Sequence, residues 1–166
     1  MKNYKVLMII LSMMFSFSCS NNENMDSPNA TVVDVYFDFL VVNANDENLF
    51  DVTTENNWDV NEIKLFYIKD GEPVLYYESN LAAPNGYIAL EQENVGTILR
   101  VYMNCDPDLD KSITYVQWNE LRTDTLEATY NHANGYQKKE VWFNGEKVWD
   151  NITMRDEYYC QKLVVK

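Results

Sequence analysis

The chain has 166 residues, with 26 acidic against 13 basic side chains, a single His and three Cys. With 46% hydrophobic and 14% aromatic residues it holds enough apolar mass for one core, which excludes wholesale disorder and a multidomain machine. The formal charge of −13 excludes a nucleic-acid binder, because neutralising phosphates takes clustered Lys and Arg that this chain lacks.

Lys2 and Lys5 open a positive segment, and residues 6–11 with Met13, Met14, Phe15 and Phe17 make an apolar run too short to span a bilayer. Residues 1–18 therefore read as a cleaved secretory signal peptide. The run stops at Ser16-Phe17-Ser18-Cys19, and the polar stretch Ser20-Asn21-Asn22-Glu23-Asn24 follows. A Cys at that point, after a small residue and before a solvated tether, resembles the lipobox of bacterial lipoproteins. The resemblance implies that the Cys19 thiol is diacylated and anchors the chain in membrane lipid. Ser16 and Ser18 also satisfy ordinary secretory cleavage, which leaves a soluble protein with a thiol at its N-terminus as the alternative. Residues 19–30, Asn-rich and containing Pro28, are the expected tether, and residues 31–166 the expected single domain.

Loss of the leader removes two Lys and no acid, leaving 26 acids against 11 bases and a charge of −15. Residues 20–110 hold 18 Asp or Glu and only Lys64, Lys69 and Arg100, whereas residues 111–166 hold eight of each sign. An acidic half of this kind keeps an exported protein soluble and repels polyanions. Asp106, Asp108 and Asp110 alternate like the opening of a calcium loop. Lys111 stands where such a loop needs Gly, and Gln117 where it needs a bidentate Glu, so the spacing suits a turn capped by its own Asp better than a metal.

Along the chain, Val33, Val35, Phe37, Phe39 and Val41 alternate with Asp34, Tyr36, Asp38 and Leu40, the pattern of a strand with one buried face. Residues 43–60 break the rhythm and read as a long loop in which Leu49, Phe50 and Trp58 return to the core. Residues 63–69 and 72–79 flank Asp70-Gly71, a two-residue hairpin turn that sets Lys69 opposite Glu72, Tyr67 opposite Val74 and Leu65 opposite Tyr76. Pro73 demotes the second of these strands to a sheet edge or lengthens the loop slightly. Turns at Pro84-Asn85-Gly86 and Asn94-Val95-Gly96 bracket strands over 87–92 and 97–104, the latter with Leu99, Val101, Met103 and Cys105 on one face. Strands over 112–119 and 124–130 follow. A hairpin around Asn144-Gly145 then joins 139–143 to 146–150, with Val141 opposite Val148 and Trp142 beside Lys147, and 158–165 is the last strand. About eight short strands without an amphipathic helix point to an all-β antiparallel sandwich.

The runs Tyr115-Val116-Gln117-Trp118-Asn119, Asp124-Thr125-Leu126 and Val141-Trp142-Phe143-Asn144-Gly145-Glu146-Lys147-Val148-Trp149 resemble small exported lipoproteins of Gram-negative bacteria. The resemblance implies an immunoglobulin-like sandwich in the cell envelope, lipid-anchored to the outer membrane. It brings no catalytic residue.

Available chemistry is limited. The one imidazole, His132, lies in the turn-like Asn131-His132-Ala133-Asn134-Gly135, and no Walker or dinucleotide glycine pattern occurs. Carboxylate pairs are always close in so acidic a chain, yet a small sandwich offers little room for a glycosidase cleft. Cys105 and Cys160 form an even pair in an oxidising compartment, available for a bridge or as two buried thiols. Trp118, Trp142 and Trp149 are the candidate contacts for a glycan or protein ligand, with core packing as the competing role. The sequence thus points to a non-catalytic binding or scaffold module without a cofactor. A structural subunit of a surface assembly, pairing through an edge strand, is the alternative.

Overall fold

The computed structural model describes residues 32–133, 135–154 and 160–165. The expected leader over residues 1–18, the Cys19 anchor and the tether up to residue 30 lie outside the described residues, as do Tyr158 and Tyr159. Eleven strands are described: β1 (Val32–Asp34), β2 (Tyr36–Val42), β3 (Lys64–Lys69), β4 (Glu72–Leu75), β5 (Tyr87–Gln92), β6 (Gly96–Tyr102), β7 (Ser112–Asn119), β8 (Arg122–Asn131), β9 (Gly135–Phe143), β10 (Glu146–Asp150) and β11 (Cys160–Val164). They form a seven-stranded sheet, β1-β9-β8-β7-β3-β4 with β10 also on β9, and a four-stranded sheet, β11-β2-β6-β5. The all-β two-sheet architecture matches the alternation in the sequence, with eleven strands rather than about eight.

Two differences have local causes. The expected single strand from residue 31 breaks at Val35, so that β1 runs parallel to β9 in one sheet and β2 pairs with β6 in the other. Val35 is buried at the crossing, and its carbonyl accepts the Met103 amide at 2.8 Å. The sandwich is also not wholly antiparallel, since β11 runs parallel to β2 from Cys160 beside Asp38 to Val164 beside Val42.

The core lies between the sheets. Phe37, Phe39 and Val41 of β2 and Leu99 and Val101 of β6 meet Leu65, Val116, Trp118, Leu126 and Val141 of the larger sheet. Phe39 is fully buried, with the Phe37, Trp118 and Phe143 rings 5.3–5.4 Å from its own in edge-on or tilted contact. Leu49 and Phe50 are buried and Trp58 packs against them, as the long-loop reading requires; the Trp58 amide donates to the Leu49 carbonyl.

The Asp70-Gly71 hairpin has the anticipated register, with Lys69 opposite Glu72 and Tyr67 opposite Val74, and both turn residues at positive φ. β4 is an edge strand exposed on both faces. The Tyr76 amide donates inward to Leu65 O, so alternation turns the Leu75 and Pro73 nitrogens to the open edge. Pro73 has no N–H, which removes one donor from that edge.

The Asn144-Gly145 hairpin corrects the sequence reading. Trp142 does pair with Lys147, but a bulge at Val148 sets Trp149, not Val148, opposite Val141. One extra residue moves Trp149 from the solvent face to the core face, where it is 7% exposed.

Candidate functional site

The three expected ligand-contact indoles do not form a platform. Trp118 is wholly buried, its Nε1–H donating to Asp124 Oδ2 at 2.8 Å, and Trp149 is buried by the bulge. Trp142 alone lies on the outer face, half-buried, in a cross-strand row between Glu127 and Lys147. Lys111 Nζ sits 3.8 Å from its ring centroid and Lys147 Nζ 5.6 Å away, while Lys111 pairs with Glu127 and Lys147 with Glu140. The ring is thus capped by cations and knits three strands together.

Asp106 accepts the Asp108 amide at 3.0 Å, and its carbonyl accepts that of Leu109, so the Asp106–Asp110 run is a self-capped turn. Among the described residues no three His, Cys, Asp or Glu side chains converge on a point suited to a metal. His132 is exposed, with the Tyr136 ring edge-on at 5.2 Å.

Cys105 and Cys160 are not joined by a disulfide. Cys160, Asp38 and Arg100 share one row across β11, β2 and β6, and Cys105 stands five residues beyond Arg100. Cys105 itself lies past the end of β6, in the connection to β7.

The end of the sandwich where Cys105 sits carries a cleft of about 620 Å³ that the sequence reading missed. Its walls come from the β6–β7 connection (Met103 to Pro107), the loop after β4 (Leu81, Ala82 and Ala83), and the rings of Tyr67, Tyr76, Tyr102 and Tyr136. The Tyr67 and Tyr76 rings pack tilted by 34° with centroids 4.4 Å apart, and the Tyr67 hydroxyl donates to Tyr102 O at 2.7 Å, tying the two sheets together beside the cleft. Gly86 is required beneath: a Cβ there would meet the Tyr76 ring at 2.8 Å. The volume lies within the range of small-molecule sites. No local motif announces the cleft, because its walls come from residues 35 to 136; Tyr67, Tyr76 and Tyr102 at alternating strand positions read simply as strand aromatics.

One polar side chain is built into the cleft. Asn104 is 6% exposed, its backbone N–H donating to Thr114 Oγ1 at 2.8 Å and its side-chain Nδ2 to Ile68 O at 3.2 Å. The Ile68 carbonyl needs a donor, which orients the side-chain amide and leaves Oδ1 without a donor among the described residues. Cys105 lies beside it, and burial together with the neighbouring Asp106 charge pushes its thiol up from the ordinary value. Iodoacetamide is therefore expected to alkylate Cys105 at least about tenfold more slowly at pH 7.5 than it alkylates a cysteine peptide, with urea removing the difference. Mass mapping of the modified peptide measures it.

Burial also raises the Tyr67 and Tyr130 hydroxyls far above the usual tyrosine range; Tyr130 Oη is buried without a hydrogen bond. A raised folded-state value means that stability is intact below the unfolded tyrosine value, about 10, and is lost as pH climbs past it. Absorbance at 295 nm should show these two phenols ionising only with alkaline unfolding. Their titration on the folded protein between pH 10 and 11 would contradict the burial.

No family model matches the chain, and no match is found among curated proteins or solved structures.

Proposed function

We propose that the chain is a lipid-anchored protein of the bacterial envelope, held at the outer membrane through Cys19, whose sandwich is a non-catalytic binding module. The observation that carries this reading is the tyrosine-walled cleft, with the tilted Tyr67–Tyr76 pair beside Asn104, whose Oδ1 accepts no hydrogen bond among the described residues. Apolar walls with one or two placed polar groups are the make-up of a ligand site. Trp118 and Trp149 are buried and the Trp142 ring is covered by Lys111 and Lys147, so the contact is assigned to the cleft. An immunoglobulin-like grouping accords with the two-sheet architecture.

The test of binding is saturation-transfer NMR with a collection of ring-bearing fragments on the full-length chain. Ala82→Trp fills the mouth from an exposed position and should abolish the signals without lowering the unfolding midpoint; signals that persist in this variant place binding elsewhere. Anchoring is tested by labelling cells with a palmitate analogue. Absence of label, or label that survives Cys19→Ala, ends that part of the reading.

The open edge of β4, with Val74 and Leu75 exposed, supports the second reading, a subunit that pairs through an edge strand. A concentration-independent monomer by sedimentation removes it.

A further inference from the structure

Resting on the cleft as the binding site, we infer that its ligand class is cationic: an ammonium-type group carried on an aromatic or other flat apolar body. The flat body follows from the aromatic surface of the tilted Tyr67–Tyr76 pair and the apolar walls of Val35, Leu81 and Met103. The positive charge follows from the polar groups left over.

Asn104, 6% exposed as a residue, lines the cleft, and its Oδ1 accepts no hydrogen bond among the described residues. Asp106 also lines the cleft; its Oδ1 caps Asp108, and Oδ2 takes no further hydrogen bond among the described residues. Two acceptors beside tyrosine faces suit an N–H-rich cation, which bonds to the oxygens and is attracted to the rings. Lys69 is the only cationic lining residue among the described residues, and it faces Glu72 across the hairpin. The surrounding sequence adds Asp70, Glu78, Asp108 and Asp110 and belongs to the half of the chain that carries the whole negative excess. That field draws cations to the mouth and repels carboxylates.

The experiment titrates the full-length chain with three probes that share a benzene ring and a two-carbon arm and differ in charge: 2-phenylethylamine, 2-phenylethanol and 3-phenylpropionate. The amine is expected to bind about tenfold more tightly than the alcohol, and the acid more weakly than either, with the amine's advantage shrinking as salt rises. Asp106→Asn keeps the Oδ1 cap and removes the charge. It should bring the amine to within about threefold of the alcohol and leave the alcohol unchanged. Alcohol or acid binding as tightly as the amine, or an amine affinity indifferent to Asp106→Asn, overturns the cationic class while the cleft remains the binding site. If no probe binds, and the ring-bearing fragments give no signal either, the cleft reading itself fails and the inference falls with it.

Discussion

Replacing Trp118 with Ala is expected to lower the unfolding free energy by about 4 kcal/mol, because it deletes the largest fully buried side chain and leaves a cavity between the sheets. The loss has two parts. One is packing: the indole lies edge-on to Phe39 at 5.3 Å and tilted to Trp58 at 6.1 Å, so its removal loosens β2 and the 43–59 loop together. The other is polar, since Asp124 accepts the indole N–H as well as bonds from Arg122 Nε and Asn144 Nδ2, and would lose one of three donors. Trp118→Phe keeps most of the volume and removes the donor, so urea denaturation should place it between wild type and Ala. If Phe and Ala are equally damaging, the hydrogen bond outweighs packing; if Ala costs under about 1 kcal/mol, the core assignment is wrong.

The second large effect is expected at Arg100→Met, with a loss of about 3 kcal/mol. Asp38 is 1% exposed, and Arg100 meets it with two parallel bonds, Nε to Oδ1 and Nη2 to Oδ2, each 2.9 Å. Removing the guanidinium strips that fork from a carboxylate taken out of water, and charged groups tolerate this badly. The Arg100 plane also covers the Tyr36 ring at 3.8 Å, so some of the loss is stacking. The double variant Asp38→Leu, Arg100→Met removes both charges and should recover most of the stability, because well-packed apolar pairs equal or surpass buried ion pairs. A double variant as unstable as Arg100→Met alone would show that the fold needs the carboxylate itself.

These two sites mark where reading the chain by pattern stops. In β2 the alternation identifies Phe37, Phe39 and Val41 as the core face and puts Asp38 on the other side, yet Asp38 is as buried as its neighbours. Period-two logic assigns a residue to a face and says nothing about what covers that face. Arg100, 62 positions away, supplies the partner, and only pairing of β2 with β6 brings them into one row. Trp149 makes the same point through register. Asn144-Gly145 forecasts the turn and the Trp142–Lys147 pair correctly, but nothing near Val148 announces a bulge, and one inserted residue exchanges faces for everything beyond it.

What the sequence by itself determined is local: strands where β-branched and aromatic residues alternate, turns where Asp-Gly and Asn-Gly accept positive φ, and an edge strand marked by Pro73. Short-range sterics and periodicity suffice for each. Tertiary structure alone decided the switch of sheets at Val35, the parallel seat of β11, the separation of Cys105 from Cys160 and the assembly of the cleft. Each of these depends on which distant segments become neighbours, and that is set by the summed packing of both sheets around Phe39 and Trp118 rather than by any single run of residues.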